Sequence, residues 1–319
     1  MKKIRLALLS GGVSSEREVS LNSGKQVFEA LDKDKYDITL YDPKTDLKQL
    51  VIDADKIDAA LIILHGPFGE DGTVQGLLDL LDIPYQGAGV LGSAMAMNKL
   101  VAKRLYDGAG IPTPSYLSFS MNEKIQPSKI VDELDLPLVV KPACAGSSVG
   151  MTLVKDESDL QDAINLGFEH DDTLIIEKYI KGIELTCGVL GNDELEALPV
   201  IEIIPGVGHD FFDYKAKYVA GETNEICPAR IDETTTKKVQ ELAVKAHQTL
   251  FLKGYSRTDM ILYNQNLSVL ETNTIPGMTA TSLFPQSAQV AGYSFTELLD
   301  ELIQLSIKEH TKQELRRST

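Results

Sequence analysis

Short apolar runs alternate with amphipathic segments through the N-terminal third of the chain. Ile4–Ser10 and Asp58–His65 are nearly continuous apolar stretches, the pattern of strands buried on both faces. Ser14–Leu31 carries apolar residues at helical spacing with Ser14 or Ser15 as its cap, and Asp71–Leu81 repeats the pattern. Strand followed by helix, twice over, predicts a parallel sheet with helices on its faces. Ligands of such sheets bind beyond the carboxyl ends of the strands. Gly11-Gly12 and His65-Gly66 both follow strands, so both fall on one edge of a cleft.

A helix over Asn98–Asp107 ends at Gly108 and Gly110, and the stiff segment Ile111-Pro112-Thr113-Pro114 follows as a domain connection. Beyond it the pattern predicts a strand at Leu138–Lys141, a glycine-serine loop, a helix at Ser158–Gly167 and a strand at Leu174–Tyr179. Strands near Glu184–Leu190 and Leu198–Ile204 precede an irregular polar stretch from Gly206 to Gly221. A helix (Asp232–Leu250), a β-hairpin (Tyr255–Asn273) and a closing helix (Phe295–Lys308) complete the chain, with Glu309–Thr319 expected as a frayed tail.

Composition narrows the classes. The 319 residues suit two or three compact domains, and 43% hydrophobic with 24% charged residues is the balance of a soluble globular protein. No apolar stretch approaches the length of a membrane span, and the apolar run after Lys3 is too short for a signal peptide. The net charge of −16 argues against nucleic acid as a partner. Cys144, Cys187 and Cys227 are widely spaced, which fits a reducing cytoplasm better than a disulfide framework.

The hairpin carries the most chemistry. Side chains on a strand alternate faces, so Arg257 shares a face with Asp259, and Glu271 with Asn273. A three-residue loop centred on Gln265 would pair Asp259 with Glu271 and Arg257 with Asn273. Carboxylates directly opposite one another repel, and a bound cation removes the conflict. Two carboxylates and an amide oxygen suit magnesium shared with phosphate oxygens. The bland alternative is a solvated hairpin face, and a loop one residue shorter or longer would break the pairing.

The segment Lys141-Pro142-Ala143-Cys144-Ala145-Gly146-Ser147-Ser148-Val149-Gly150 follows an apolar strand. It is no Walker A loop, but its small residues let backbone amides approach phosphate oxygens, and Lys141 adds a point charge. A plain flexible turn is the alternative. Gly87-Ala88-Gly89-Val90-Leu91-Gly92 matches the dinucleotide fingerprint, with Asp107 beyond it. Asp107 falls at a helix end rather than a strand end, so the match reads as a coincidental tight turn. His65 sits at a strand end, where ligands bind. His170, His209, His247 and His310 are scattered and read as surface or packing residues.

Taken together, these segments resemble the D-alanine–D-alanine ligase family of the ATP-grasp superfamily. The matching stretches are Ser10-Gly11-Gly12 with Ser15-Glu16-Arg17-Glu18-Val19-Ser20, His65-Gly66 with Gly69-Glu70-Asp71-Gly72, Lys141-Pro142 with Gly146-Ser147-Ser148-Val149-Gly150, and Asp213-Tyr214 with Lys217-Tyr218. Arg257 with Asp259, and Leu270-Glu271-Thr272-Asn273 with Pro276-Gly277-Met278-Thr279 and Ser282-Leu283, complete the series. The resemblance implies an α/β protein with the ATP-grasp fold: a Rossmann-like N-terminal parallel-sheet domain (1–98), then two α+β units (99–183 and 184–319) that clasp ATP. It implies ATP with two magnesium ions, which manganese can replace, and a homodimer.

Carried over residue by residue, the resemblance places Lys99 and Lys141 on the nucleotide phosphates, Ser148 in the ATP site, Glu177 at the adenine edge and Glu184 on the ribose. Asp259, Glu271 and Asn273 would hold the metal. Glu16 would pair with the ammonium of the first D-alanine, linked through Ser147 to Tyr218, with His65 and Lys217 nearby. Ser282 and the backbone of Leu283 would hold the second carboxylate. Arg257 and the N–H of Gly277 would stabilise an oxyanion. Tyr218 stands where related depsipeptide-forming ligases carry histidine, which implies a dipeptide product. Ala145 and Ile183 depart from residues common in the family. Rival readings are an ATP-grasp ligase for another D-amino or hydroxy acid, a nicotinamide-dependent dehydrogenase resting on Gly87–Gly92, and a non-catalytic amino-acid-binding module.

Overall fold

A computed structural model describes residues 2–144, 146, 149–206 and 223–317. The N-terminal part runs β1 (Ile4–Ser10), α1 (Arg17–Ala30), β2 (Tyr36–Tyr41), α2 (Leu47–Ile52), β3 (Ala59–Ile63), α3 (Thr73–Leu80) and α4 (Val90–Met97). Its sheet is parallel in the order β2-β1-β3, with a single bridge from Ala60 to Tyr85 beyond. β1 and β3 are covered on both sides, which is why they read as unbroken apolar runs. Ala7, Leu9, Ala60 and Ile62 pack with Leu50, Val74 and Leu78. Leu6, Leu8, Leu61 and Ile63 face the other way, toward Leu298, Leu299, Leu302 and Ile303.

The middle of the chain forms α5 (Lys99–Gly108), β4 (Tyr116–Ser120), α6 (Pro127–Leu134), β5 (Leu138–Pro142), β6 (Thr152–Val154), α7 (Leu160–Phe168) and β7 (Thr173–Lys178). The sheet is antiparallel in the order β4-β7-β5-β6, with α6 and α7 closing one face. The last part forms β8 (Ile183–Gly191), β9 (Glu196–Ala197), β10 (Ile201–Pro205), β11 (Thr223–Ile226), α8 (Glu233–Thr249), β12 (Gly254–Tyr263), β13 (Asn266–Asn273), α9 (Leu283–Val290) and α10 (Phe295–Arg317). Its sheet has the order β11-β10-β8-β12-β13, with β9 on β8, and α8 packs behind it through Val239, Ala243 and Ala246.

Several expectations are corrected. α1 begins at Arg17 with Glu16 as its capping position, not Ser14 or Ser15. The tail is no frayed end: α10 continues to Arg317 because Glu309 pairs with Lys253 and Lys312 reaches Asp193 at 2.6 Å. His247, by contrast, takes the packing alternative expected for it: it is buried and bonds Ser256 Oγ through Nδ1 at 2.8 Å.

The hairpin keeps its expected pairing by a different route. Its loop has two residues, Asn264 and Gln265, both with positive φ (46° and 64°), as a tight hairpin turn requires. That loop alone would shift the register by one. A β-bulge at Leu270 takes up the extra residue, so Asp259 still pairs with Glu271 and Arg257 with Asn273.

Gly87–Gly92 is not a single tight turn, since Val90 opens helix α4. Its glycines serve close packing between the N- and C-terminal parts. A Cβ on Gly254 (φ +71°) would lie 2.9 Å from the backbone nitrogen of Gly87, and one on Gly92 would lie 2.9 Å from Leu252 Cδ2. This geometry predicts that Gly254→Ala costs about 2 kcal/mol or more, through both the left-handed φ and the backbone clash. Thermal unfolding checks it, and an unchanged melting temperature would refute the close-packing role.

Candidate active site

The carboxyl ends of β1 and β3 open onto a cavity of about 830 Å³ that the C-terminal part closes. Glu16 enters it from the start of α1 and is 4% exposed. Arg17 fixes that start: it pairs with Asp42 at 2.6 Å and donates to the carbonyl of Gly12 at 2.7 Å. Ser14 Oγ donates to the carbonyl of His65 at 2.7 Å, so the two glycine turns are tied together. Gly66 and Gly146 lie against the Glu16 carboxylate, where a Cβ would come within 2.9 and 2.8 Å of Oε2. The glycines of two loops thus shape a cradle around one carboxylate.

His65 is buried and lines the same cavity, and its Nε2 has no hydrogen-bond partner among the described residues. Burial pushes its pKa down, against the pull of Glu16. Glu70 accepts from the N–H of Gly66 at 2.7 Å. Burial first, and the neighbouring Glu16 charge second, push its carboxyl up to about 8.

Across the cavity stands the bulged hairpin. Arg257 grips Asp259 with two bonds of 2.9 and 2.8 Å. Asp259 also accepts from Thr186 Oγ1 at 2.6 Å and from Asn273 Nδ2 at 3.1 Å. Lys99, at the start of α5, lies 3.4 Å from Glu271. The rear face of the hairpin is anchored by Tyr106, whose hydroxyl donates to Thr272 Oγ1 at 2.8 Å. Arg257, Asp259, Glu271 and Asn273 therefore lie on one side of the ribbon, with two carboxylates and an amide as an oxygen donor set.

A second, narrower space of about 100 Å³ lies between the middle and C-terminal sheets. Val139, Met151, Ile180, Leu185, Met260 and Leu270 make it apolar, and Lys99, Lys141, Glu177, Glu184, Asp259 and Glu271 rim it. Apolar walls with polar groups at the edge are the lining expected of a pocket for a small planar ligand. Lys141, at the end of β5, pairs with Glu177 on β7. Glu271 lines both spaces, so slot and cavity adjoin at the hairpin face.

Gly277 and Ser282 close the far end of the cavity. Ser282 Oγ accepts from the N–H of Thr279 at 3.2 Å and bonds Thr279 Oγ1 at 2.7 Å. Ser282 precedes α9, whose first residue is Leu283, so the helix start offers backbone N–H groups to an anion.

The structure thus brings together Glu16, His65, Lys99, Arg257, Glu271, Asn273, Gly277, Ser282 and Leu283 around one cavity, and Lys141, Glu177, Glu184 and Asp259 around the adjoining slot. Ala145, Ser147, Ser148, His209, Asp213, Tyr214, Lys217 and Tyr218 lie outside the described residues, as does the polar stretch beyond Gly206. Two residues escaped the sequence reading as site members. Glu70 was visible only as part of a motif. Lys103, four residues after Lys99 on α5, is 2% exposed beside Glu177. An i, i+4 lysine pair on a helix with only one face to bury was the available signal.

Comparison with known proteins assigns this fold to the ATP-grasp class of ATP-dependent ligases. The family model for the D-ala D-ala ligase C-terminus matches residues 105–304, and that for the N-terminus matches 5–50 and 42–88. A D-alanine–D-alanine ligase of Syntrophobacter fumaroxidans is 58% identical over 97% of this chain and 99% of its own. The Bacillus anthracis D-alanine–D-alanine ligase solved with ATP superposes with a TM-score of 0.86 at 35% identity, covering 97% of this chain and 99% of that one. The VanG D-Ala:D-Ser ligase of Enterococcus faecalis gives 0.82 at 36%, covering 96% and 100%. The chain belongs to the D-alanine–D-alanine ligase family.

The raised pKa of Glu70 has a consequence for stability. Between the ordinary value of 4.5 and about 8 the folded protein keeps a proton that the unfolded chain has lost. Its contribution therefore favours folding at low pH and declines as pH rises through that window. Glu70→Gln removes the decline. Melting curves of the unliganded protein from pH 5 to 8 should show the variant gaining on wild type as pH rises. Parallel curves would refute the assignment.

Proposed function

We propose that the chain joins two D-alanine molecules at the expense of ATP, with D-alanyl phosphate as intermediate, to supply the dipeptide for peptidoglycan precursors. The observation that carries this is the opposed pair Asp259 and Glu271 at the junction of a narrow apolar slot and the larger cavity that Glu16 enters. The three units with boundaries at 98/99 and 183/184 act as substrate domain and two halves of a nucleotide clasp. The enzyme works as a homodimer in the cytoplasm.

Two carboxylates and an amide oxygen are the donors that hard divalent cations take, so Asp259, Glu271 and Asn273 fit two magnesium ions, with manganese a substitute. Bound there, magnesium would supply charge neutralisation for the transferring phosphoryl group. Lys99 and Lys141, with Ser148, hold the phosphates, Glu177 meets the adenine edge and Glu184 the ribose. Glu16 takes the ammonium of the first D-alanine beside His65, and Ser147, Lys217 and Tyr218 close over it. The carboxylate of that substrate attacks the γ-phosphoryl group, releasing ADP and leaving the acyl phosphate. The amine of the second D-alanine, held through its carboxylate by Ser282 and the N–H of Leu283, then attacks the acyl carbon. Charge develops on the acyl oxygen before phosphate departs. The bidentate grip of Asp259 uses two of Arg257's five N–H donors and fixes the guanidinium plane at the cavity wall. Arg257 and the N–H of Gly277 stabilise that oxyanion.

Phosphate release from MgATP should depend on D-alanine and not on L-alanine or D-lactate. Release independent of D-alanine would overturn the substrate assignment. Arg257→Ala should lower kcat by about a hundredfold or more while changing ATP affinity far less, the scale expected for removal of an oxyanion donor. An unchanged kcat in steady-state assays would contradict the role.

A further inference from the structure

Lys103 follows Lys99 by one helical turn on α5. Its Nζ lies 2.9 Å from Glu177 Oε2 and 5.0 Å from the centre of the Tyr116 ring. Glu177 is itself 2% exposed and gives its other oxygen, Oε1, to Lys141. One buried carboxylate therefore faces two ammonium groups. Burial pushes the Glu177 carboxyl up, but Lys103 first and Lys141 second pull it down further.

The two lysines differ in what else they can reach. Lys141 and Glu177 line the slot between the sheets, and Lys103 is not among the lining residues. It is closed in behind Glu177 and Tyr116, whose strand positions are paired in register. A buried carboxylate that loses its only cation is strongly destabilised. With Lys141 as sole partner, Glu177 and an incoming phosphate would compete for one ammonium, and each gain on one side would be offset on the other. A second, immobile cation removes the competition.

We propose that Lys103 is a positioning residue for nucleotide binding, a fixed counter-ion that holds Glu177 in place so that Lys141 can leave it for a phosphate. Nothing in the catalytic proposal assigns Lys103 a role, and the inference rests on the reading that the slot takes ATP. Lys103 touches no substrate. It sets the cost of moving Lys141, and so acts on ATP affinity rather than on the chemistry.

The test compares four forms of the full chain: wild type, Lys103→Met, Glu177→Gln and the double variant. ATP affinity is read by calorimetry, and KM and kcat by phosphate release. Lys103→Met should weaken ATP binding roughly ten- to hundredfold. Its KM for D-alanine, and its kcat at saturating ATP, should stay within about threefold of wild type. In the Glu177→Gln background the same substitution should change ATP affinity by less than about threefold, because the charge it serves is gone. Unchanged ATP affinity in Lys103→Met, or an equal loss in both backgrounds, would overturn the proposal, the second outcome marking a packing role alone. Should Lys103→Met fail to fold, the double variant must fold and bind ATP as Glu177→Gln does, and its failure would equally overturn the proposal. A wild type that binds ATP but needs no D-alanine for phosphate release would sink the substrate reading and leave this comparison intact.

Discussion

Two carboxylates facing each other across one rung of a hairpin are the constraint around which the site is arranged. Asp259 and Glu271 are paired positions on β12 and β13, and like charges so placed weaken a ribbon unless something compensates them. The protein compensates each differently. Asp259 is gripped by Arg257 and also accepts from Thr186 and Asn273. Glu271 has Lys99, which comes from another part of the chain. The repulsion is thus turned into a concentrated, oriented patch of oxygen ligands with its cations close by.

Helix α5 connects that patch to the rest of the machinery. Lys99 at its start meets Glu271, Lys103 one turn on meets Glu177, and Tyr106 further along holds the rear of the hairpin through Thr272. Successive turns of one helix therefore touch the hairpin face, the slot edge and the hairpin back. The N-terminal sheet contributes the other wall. Its two glycine turns bring Glu16, His65 and Glu70 to the cavity, where burial first and the neighbouring Glu16 charge second raise the proton affinity of Glu70. The cavity wall beside the N-terminal sheet is thus acidic, while the adjoining slot sets Lys99 and Lys141 among the carboxylates of Glu177, Glu184, Asp259 and Glu271.

Much of this was legible in the sequence because it rests on period and punctuation. β1 matches its expected limits because an apolar run ending in Gly-Gly leaves little choice. The Asp259–Glu271 pairing was inferred with the wrong loop. Sequence could not show that positive φ at Asn264 and Gln265 makes a two-residue turn, or that a bulge at Leu270 restores the register. The docking of α10 under the N-terminal sheet was invisible for another reason. Its stripe of Leu298, Leu299, Leu302 and Ile303 says that it is buried, but not against what. Glycine motifs showed the same ambiguity: Gly87 and Gly92 look like a nucleotide fingerprint, yet they serve backbone packing against Gly254 and Leu250–Leu252. Lys103 was missed because a lysine on a helix ordinarily faces solvent, and only the neighbouring Glu177 makes its burial tolerable.

The central claim is that the shared face of the hairpin is a cation site that grips the nucleotide. Calorimetric titration of ADP into the protein, with and without magnesium, tests it without catalysis. The account predicts that magnesium strengthens ADP binding by roughly tenfold or more in the wild type, and that Asp259→Asn and Glu271→Gln each abolish most of that gain while the protein still melts cooperatively. A full magnesium-dependent gain retained in both variants would contradict it.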